Sequence, residues 1–311
     1  MVLILPVLAG VMFGAAGIFV RELTAHGMSS PTVLFLRVSF AALEMLLLIL
    51  HGDRTRLRIR GRDLPLFLGT GLVGMLGVNL FYTESVKRIT LSLAAVLLSM
   101  SPVFVVFIAA ALFRERITRQ KIVCMVLAMA GCVLASGLLE QSAGLEVSAG
   151  GILMGLAAAL FYGLYSLFSR GAIDRGYHTY TVIFFSLLLV LAVMLPLADY
   201  EAIGGYLSEN TASRLLFLLV HSLCTSILPY VFLTVALRYA EAGKVSILAA
   251  GGEPAAAVLF GWIFYHEIPT VLMFAGMAVT VAALALLCRQ PKEKRLEAQG
   301  EGQGDPRSKF E

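Results

Sequence analysis

Apolar runs of about twenty residues alternate with short charged segments along almost the whole chain. At a rise of about 1.5 Å per residue, each run makes a helix that crosses a hydrocarbon core of about 30 Å. Lipid offers the backbone no hydrogen bonds, so only helices or closed barrels span it, and these runs lack the alternation of barrel strands. We therefore predict an all-α integral membrane protein with ten transmembrane helices, at residues 2–21, 31–50, 64–86, 90–113, 121–139, 149–170, 179–198, 214–238, 244–265 and 269–288.

The amino-acid composition agrees with a chain that lies mostly in lipid. Of its 311 residues, 59% are hydrophobic and only 14% are charged, and the mean hydropathy is +0.87. Soluble domains are closer to half apolar and a quarter charged. The net charge is only +4 and the basic residues lie in the loops, so we expect no nucleic-acid partner.

The distribution of Lys and Arg predicts the orientation, because cytoplasmic loops carry an excess of both. With the N-terminus in the cytoplasm, nineteen of these residues fall in inside segments and four in outside segments, and Arg37 lies within a helix. Both termini and the arginine-rich 51–63 segment are therefore predicted to be cytoplasmic, in a multi-pass protein of the cell membrane.

An internal repeat divides the chain into two halves of five helices. The matched positions are Gly14, Phe19 and Arg21 with Gly163, Phe168 and Arg170 at an offset of 149, Phe81, Thr83 and Lys87 with Phe232, Thr234 and Arg238 at 151, and Pro102, Glu115 and Thr118 with Pro254, Glu267 and Thr270 at 152. Because five is odd, the second half enters the membrane from the opposite side. Such inverted repeats are typical of secondary transporters that place one site between two halves.

The stretches PVFVVFIAAALFRERIT and EPAAAVLFGWIFYHEIPT, each with a Pro thirteen residues before a Glu, resemble the EamA family of the drug/metabolite transporter superfamily. The resemblance covers about residues 2–288 and departs from the family where Arg114 and His266 stand in place of Gly. It implies a ten-helix transporter of small metabolites, often amino acids. The expected domains are a first repeat at 1–140, a second at 149–288, and a disordered cytoplasmic tail at 289–311.

Two ionisable residues inside the predicted helices are the sharpest site candidates, because a charge in the bilayer needs a partner or a function. Arg37 either forms a structural ion pair or contacts an anionic group of a substrate. Glu253 lies beside Pro254, where it either takes up a proton or meets a substrate amine, or else caps a helix kink. Glu115, at a helix end, is interpreted as bonding amides at the next helix start, with a gating charge as the alternative.

Polar and aromatic side chains share faces on three further helices. Asn79 and Tyr82 lie three apart, as do Tyr162 and Tyr165, and Tyr230 matches Asn79 under the repeat offset. They either bond across helices or line a cavity. The predicted substrate site near the midplane comprises Arg37, Asn79, Tyr82, Tyr162, Tyr165, Tyr230 and Glu253.

The sequence favours a secondary transporter that moves small metabolites such as amino acids by alternating access, in the export direction, with proton coupling as an option. Nucleosides or drug-like amines are the alternative substrates, and an integral-membrane enzyme is the alternative class. The five His are scattered without an HExxH spacing, the four Cys lie in apolar runs, and GxxxxGK[ST] does not occur. We therefore expect no enzyme activity, no metal and no cofactor.

Overall fold

The computed structural model describes residues 2–89, 91–135, 139, 148–265 and 270–288, and every regular element among them is helical. The predicted tail at 289–311 and the pair His266 and Glu267 lie outside the described residues. We label the helices α1 (Ile4–Ala25), α2 (Ser30–His51), α3 (Leu64–Leu68, Gly69–Leu76 and Gly77–Val86, continuous), α4 (Leu91–Leu98), α5 (Ser101–Phe113), α6 (Arg119–Ala135), α7 (Ala149–Asp174), α8 (Thr179–Met194), α9 (Tyr200–Glu209), α10 (Thr211–Ser222, Leu223–Ile227 and Leu228–Tyr239, continuous), α11 (Ala242–Tyr265) and α12 (Val271–Cys288).

Several of these helices are suited to a bilayer by length and composition. Seven stretches of the described residues are long and apolar enough to cross a membrane, one of which, Val96–Phe113, runs from α4 through α5, and Val271–Leu287 is a shorter apolar helix. Many large side chains on their outer surfaces are exposed and apolar, among them Leu47, Phe107 and Leu153. The protein is therefore a multi-pass membrane protein whose surface faces lipid, as the apolar runs predict.

Two local features differ from the sequence-based prediction. The run at 90–113 was expected to form one helix, but α4 and α5 are separated by a turn at Ser99 and Met100, with Pro102 in the first turn of α5. Proline has no amide hydrogen and is tolerated in the first turn of a helix. The helix therefore breaks just before Pro102 and does not continue through it with a kink. Helix α9 was not predicted, because its mixed residues give no long apolar run.

Close crossings between glycines join the two halves into one bundle. A Cβ added at Gly10 of α1 would lie 2.1 Å from the Ala249 carbonyl oxygen of α11, and one at Gly276 of α12 would lie 2.3 Å from the Ala135 amide nitrogen of α6. No side chain fits at these points, so the backbones touch directly. This is how helices associate in lipid, where apolar burial alone gives little driving force.

The third and the tenth helix each contain a wider, π-helical stretch. It covers Gly69–Leu76 in α3 and Leu223–Ile227 in α10. Such stretches disturb the regular ladder of backbone hydrogen bonds and occur frequently at functional sites. Both precede a candidate site residue on the same helix, Asn79 in α3 and Tyr230 in α10.

Candidate functional site

Arg37 lies deep in the bundle and is held by α3. Its Nη2 donates to Asn79 Oδ1 over 2.7 Å, while Asn79 Nδ2 donates to the Met75 carbonyl oxygen over 2.7 Å. The Nε of Arg37 is buried and has no hydrogen-bond partner among the described residues, and no described carboxylate lies within ion-pair distance. The guanidinium is therefore oriented by an amide but its charge is not neutralised.

An aromatic cluster lies beside this arginine. The rings of Tyr165 and Tyr230 meet edge to face with centroids 4.9 Å apart, and Phe13 contacts Tyr230 and Tyr162 at 5.2 Å and 6.1 Å. Tyr82 packs in the same apolar cluster as Tyr162 and Phe13. Four helices, α1, α3, α7 and α10, thus bring their aromatic side chains to one place. Phe13 could not be predicted from the sequence, because it looks like any apolar residue of a transmembrane run.

Glu253 of α11 completes the set. Its charge interacts with Tyr82, Tyr162 and Tyr230, and it retains accessible surface although it lies deep in the bundle. No described residue forms a hydrogen bond or an ion pair with it. Tyr230 interacts electrostatically with Arg37 as well as with Glu253, so both charged groups lie near its hydroxyl. The structure therefore brings the seven predicted residues together, from helices of both halves.

A polar cluster at one end of the bundle links the two halves, and we call it the 63/175 latch. Asp63 at the start of α3 accepts a hydrogen bond from Arg175 Nη1 and one of 2.8 Å from the Tyr177 hydroxyl, which in turn accepts one of 3.0 Å from the Arg60 amide. Burial raises the pKa of Tyr177, and the Asp63 carboxylate raises it further, so the hydroxyl stays a donor. A cleft of ≈ 370 Å³ opens here, lined by Asp63, Arg175, Arg60 and Arg62.

A corresponding cluster lies at the opposite end, and we call it the 26/214 latch. Arg214 at the start of α10 contacts His26 Nε2 at 2.9 Å and Glu22 Oε1 at 3.5 Å. Its guanidinium also stacks over the Tyr206 ring of α9, 4.4 Å from the centroid. This latch likewise ties α1 of the first half to α10 of the second.

Glu115 bonds to backbone amides at a helix start, as the sequence indicated, but to a different helix from the one expected. Its Oε1 accepts from the Ala242 amide over 2.6 Å and its Oε2 from the Gly243 amide over 3.2 Å, at the beginning of α11. Lys121 lies 3.6 Å from the same carboxylate and 2.6 Å from Glu241. A carboxylate stabilises the positive end of a helix dipole, so Glu115 anchors the helix that carries Glu253.

Comparison with known proteins now assigns the family. A family model described as the EamA-like transporter family matches residues 1–137 and 149–289. The chain belongs to the EamA-like transporter family. It is therefore a transporter and not an enzyme, and the resemblance stated from the two Pro-to-Glu stretches is confirmed.

Relatives of similar length carry transporter names. The chain is 28% identical over 289 residues to the "Pseudopaline exporter CntI" of Pseudomonas aeruginosa, covering 93% of this chain and 96% of that one. It is 26% identical over 284 residues to an "Uncharacterized transporter" of Archaeoglobus fulgidus, covering 91% and 95%. It is 24% identical over 284 residues to the "Probable terminal-alkyne amino-acid exporter" of Streptantibioticus cattleyicolor, covering 90% of both.

The fold has a counterpart among solved structures. A crystal structure superposes with a TM-score of 0.74 over 95% of this chain and 98% of its own, at 18% sequence identity. At that identity the likeness concerns the fold alone.

Proposed function

We propose that this EamA-like transporter exports small zwitterionic metabolites of the amino-acid type by alternating access. The observation that carries the proposal is the pair of oppositely charged groups deep in the bundle, Arg37 and Glu253, that have no ion-pair partner among the described residues and both interact with Tyr230. A charge in this setting is costly unless a ligand neutralises it. A zwitterion neutralises both, with its carboxylate on Arg37 and its ammonium group on Glu253.

The shape of the cluster also suits an amino acid. Arg37 is turned by Asn79 and offers an unused Nε, so a carboxylate can accept from the guanidinium in a fixed orientation. The faces of Tyr82, Tyr162 and Tyr230 attract a cation and exclude water. Two of these relatives are named as exporters, one of them for an amino acid, which supports the outward direction and the substrate class. When no substrate is bound, Glu253 is the group that exchanges a proton.

Matching local features support ten helices arranged as an inverted repeat. Gly27 and Gly176, 149 residues apart, both have positive φ angles of 78° and 87°. Ser29 and His178, at the same spacing, are the residues before α2 and α8. The π-helical stretches of α3 and α10 also end 151 residues apart, at Leu76 and Ile227. The family model matches once in each half.

The two latches correspond under the same offsets, and we propose that they are the opposed gates of alternating access. Asp63 and Arg214 are 151 residues apart, and His26 and Arg175 are 149 apart. Each latch joins one half to the other, so opening either end requires its bonds to break. From the Lys and Arg distribution, the 63/175 latch faces the cytoplasm and the 26/214 latch the outside.

A charge exchange tests the cytoplasmic gate. We expect Asp63→Arg to lower transport more than tenfold, because two cations then face each other, and Asp63→Arg with Arg175→Asp to recover at least half of it. Asp53→Arg makes the same charge change in the same segment, where Asp53 caps its own turn and pairs with Arg56 of that turn, and we expect less than a twofold effect. Efflux from cells with matched membrane levels is the measurement. A double variant no better than the single one would contradict a gating pair.

Vesicle transport tests the function itself. We expect everted membrane vesicles that contain the protein to accumulate labelled amino acids, and accumulation to rise with an imposed proton gradient. Vesicles without the protein are the control. Transport of nucleosides or of drug-like amines in place of amino acids would favour the alternative substrates, and it would remove the role given to Arg37 as a carboxylate ligand.

A further inference from the structure

Outside the seven-residue cluster, four buried polar atoms of α2 and α10 have no hydrogen-bond partner among the described residues. They are the second carboxylate oxygen of Glu44, both ring nitrogens of His221 and the hydroxyl of Ser226. His221 has no accessible surface, and burial without a hydrogen-bond partner destabilises a polar group. Several unpaired polar atoms in one helix pair need an explanation, and a ligand that forms the missing hydrogen bonds is one.

We call these groups of α2 and α10, together with the nearby Arg37, the α2/α10 compartment. His221 interacts with the Arg37 charge, and its ring is stacked on Phe19 of α1 with centroids 5.1 Å apart. Ser222, the next residue, donates to Glu44 Oε1 over 2.7 Å, which leaves Oε2 free. The π-helical stretch Leu223–Ile227 begins directly after Ser222 and contains Ser226.

The helix pair α3 and α8, which corresponds to α10 and α2 under the repeat offsets, shows an ordinary way of packing these positions. Thr70 precedes His221 by 151 residues and Ser186 follows Arg37 by 149, and these two small hydroxyls bond to each other over 2.8 Å. The pair is buried and fully used, since Ser186 also donates to the Val182 carbonyl oxygen. The α2/α10 pair, with Arg37 and His221 at the corresponding positions, instead carries large polar groups whose atoms lack partners among the described residues.

We infer that this α2/α10 compartment is a specificity subsite, which binds an uncharged side chain carrying both a hydrogen-bond donor and an acceptor, a carboxamide foremost. The inference rests on the proposed function. Among the described residues, Arg37 is the one cation of the compartment, and it is used by the substrate carboxylate. A second substrate carboxylate would face Glu44 without a second cation. A carboxamide instead donates to Glu44 Oε2 and accepts from the His221 ring, which carries one donor and one acceptor when neutral.

The subsite is closed in this structure, because His221 has no accessible surface. Entry of a side chain requires α1, which carries Phe19, to separate from α10. The 26/214 latch joins these same two helices at their outer ends. Substrate selection at His221 is therefore coupled to opening of that end of the bundle.

Selectivity in vesicles tests the subsite, with labelled glutamine and labelled leucine as the probes. We expect wild-type protein to prefer glutamine about tenfold, the value of about one neutral hydrogen bond. His221→Phe keeps the stacking on Phe19 and removes both nitrogens, so the preference should fall to about one. Ser226→Ala, a smaller change, should reduce it several-fold. Thr70→Val alters the corresponding position of the other half and should leave the preference unchanged.

The outcomes separate the subsite from the function. If leucine and glutamine are both transported without preference, or if His221→Phe and Ser226→Ala change both solutes equally, the subsite is wrong and the amino-acid transporter stands. If neither solute nor any other amino acid is transported, the proposed function and the subsite both fall.

Discussion

Arg37→Gln should reduce amino-acid transport by about 100-fold while the protein still reaches the membrane at its normal level. The change removes the charge that we assign to the substrate carboxylate and leaves a side chain that still bonds to Asn79. Loss of one partner of a buried, hydrogen-bonded charge pair costs about 2–5 kcal/mol, and about 2.8 kcal/mol corresponds to that factor. Initial rates of efflux at several substrate concentrations are the measurement.

Two further variants give this result its meaning. Arg37→Lys keeps the charge without the planar fork, so we expect partial transport with a raised KM. Arg88→Gln removes an arginine that pairs with Glu84 at the protein surface, and it should have almost no effect. Normal transport by Arg37→Gln would show that the residue does not bind substrate. Failure of Arg37→Gln to accumulate in the membrane would show that the residue supports the fold instead.

Glu253→Gln should abolish transport or make it independent of the proton gradient. The amide keeps the size of the side chain but neither exchanges a proton nor neutralises a substrate ammonium group. Glu253→Asp, which keeps the carboxylate, should retain partial activity. Accumulation in vesicles across a pH series, with and without a gradient, separates a loss of coupling from a loss of binding.

Glu84→Gln is the matched control for this change. Glu84 bonds to Arg88 and Lys87 at the end of α3, where both partners are solvent-exposed, so its neutralisation should leave coupling intact. Normal, gradient-dependent transport by Glu253→Gln over the whole pH series would overturn the coupling role. The carboxylate would then serve only to support the backbone next to Pro254.

The site could be predicted in part because lipid makes polar residues conspicuous. Arg37 and Glu253 were identifiable as ionisable groups in apolar runs, and the tyrosines were identifiable by their helical spacing. Phe13 was not, since an apolar ring in an apolar run carries no signal. His221 was visible as polar, but the sequence did not show that both of its nitrogens lack partners.

Local sequence alone determined the class of the protein and predicted a two-fold repeat. The length of an apolar run indicates that a helix lies in lipid, and Gly, Pro and Glu that recur at fixed offsets indicate a duplication. Neither inference needs long-range information. Only the tertiary structure decided which helices meet: α1 with α11 at Gly10, Glu115 with the start of α11, and Asp63 with Arg175. Such contacts join residues more than a hundred positions apart, and their partners are set by backbone crossings that no local spacing encodes.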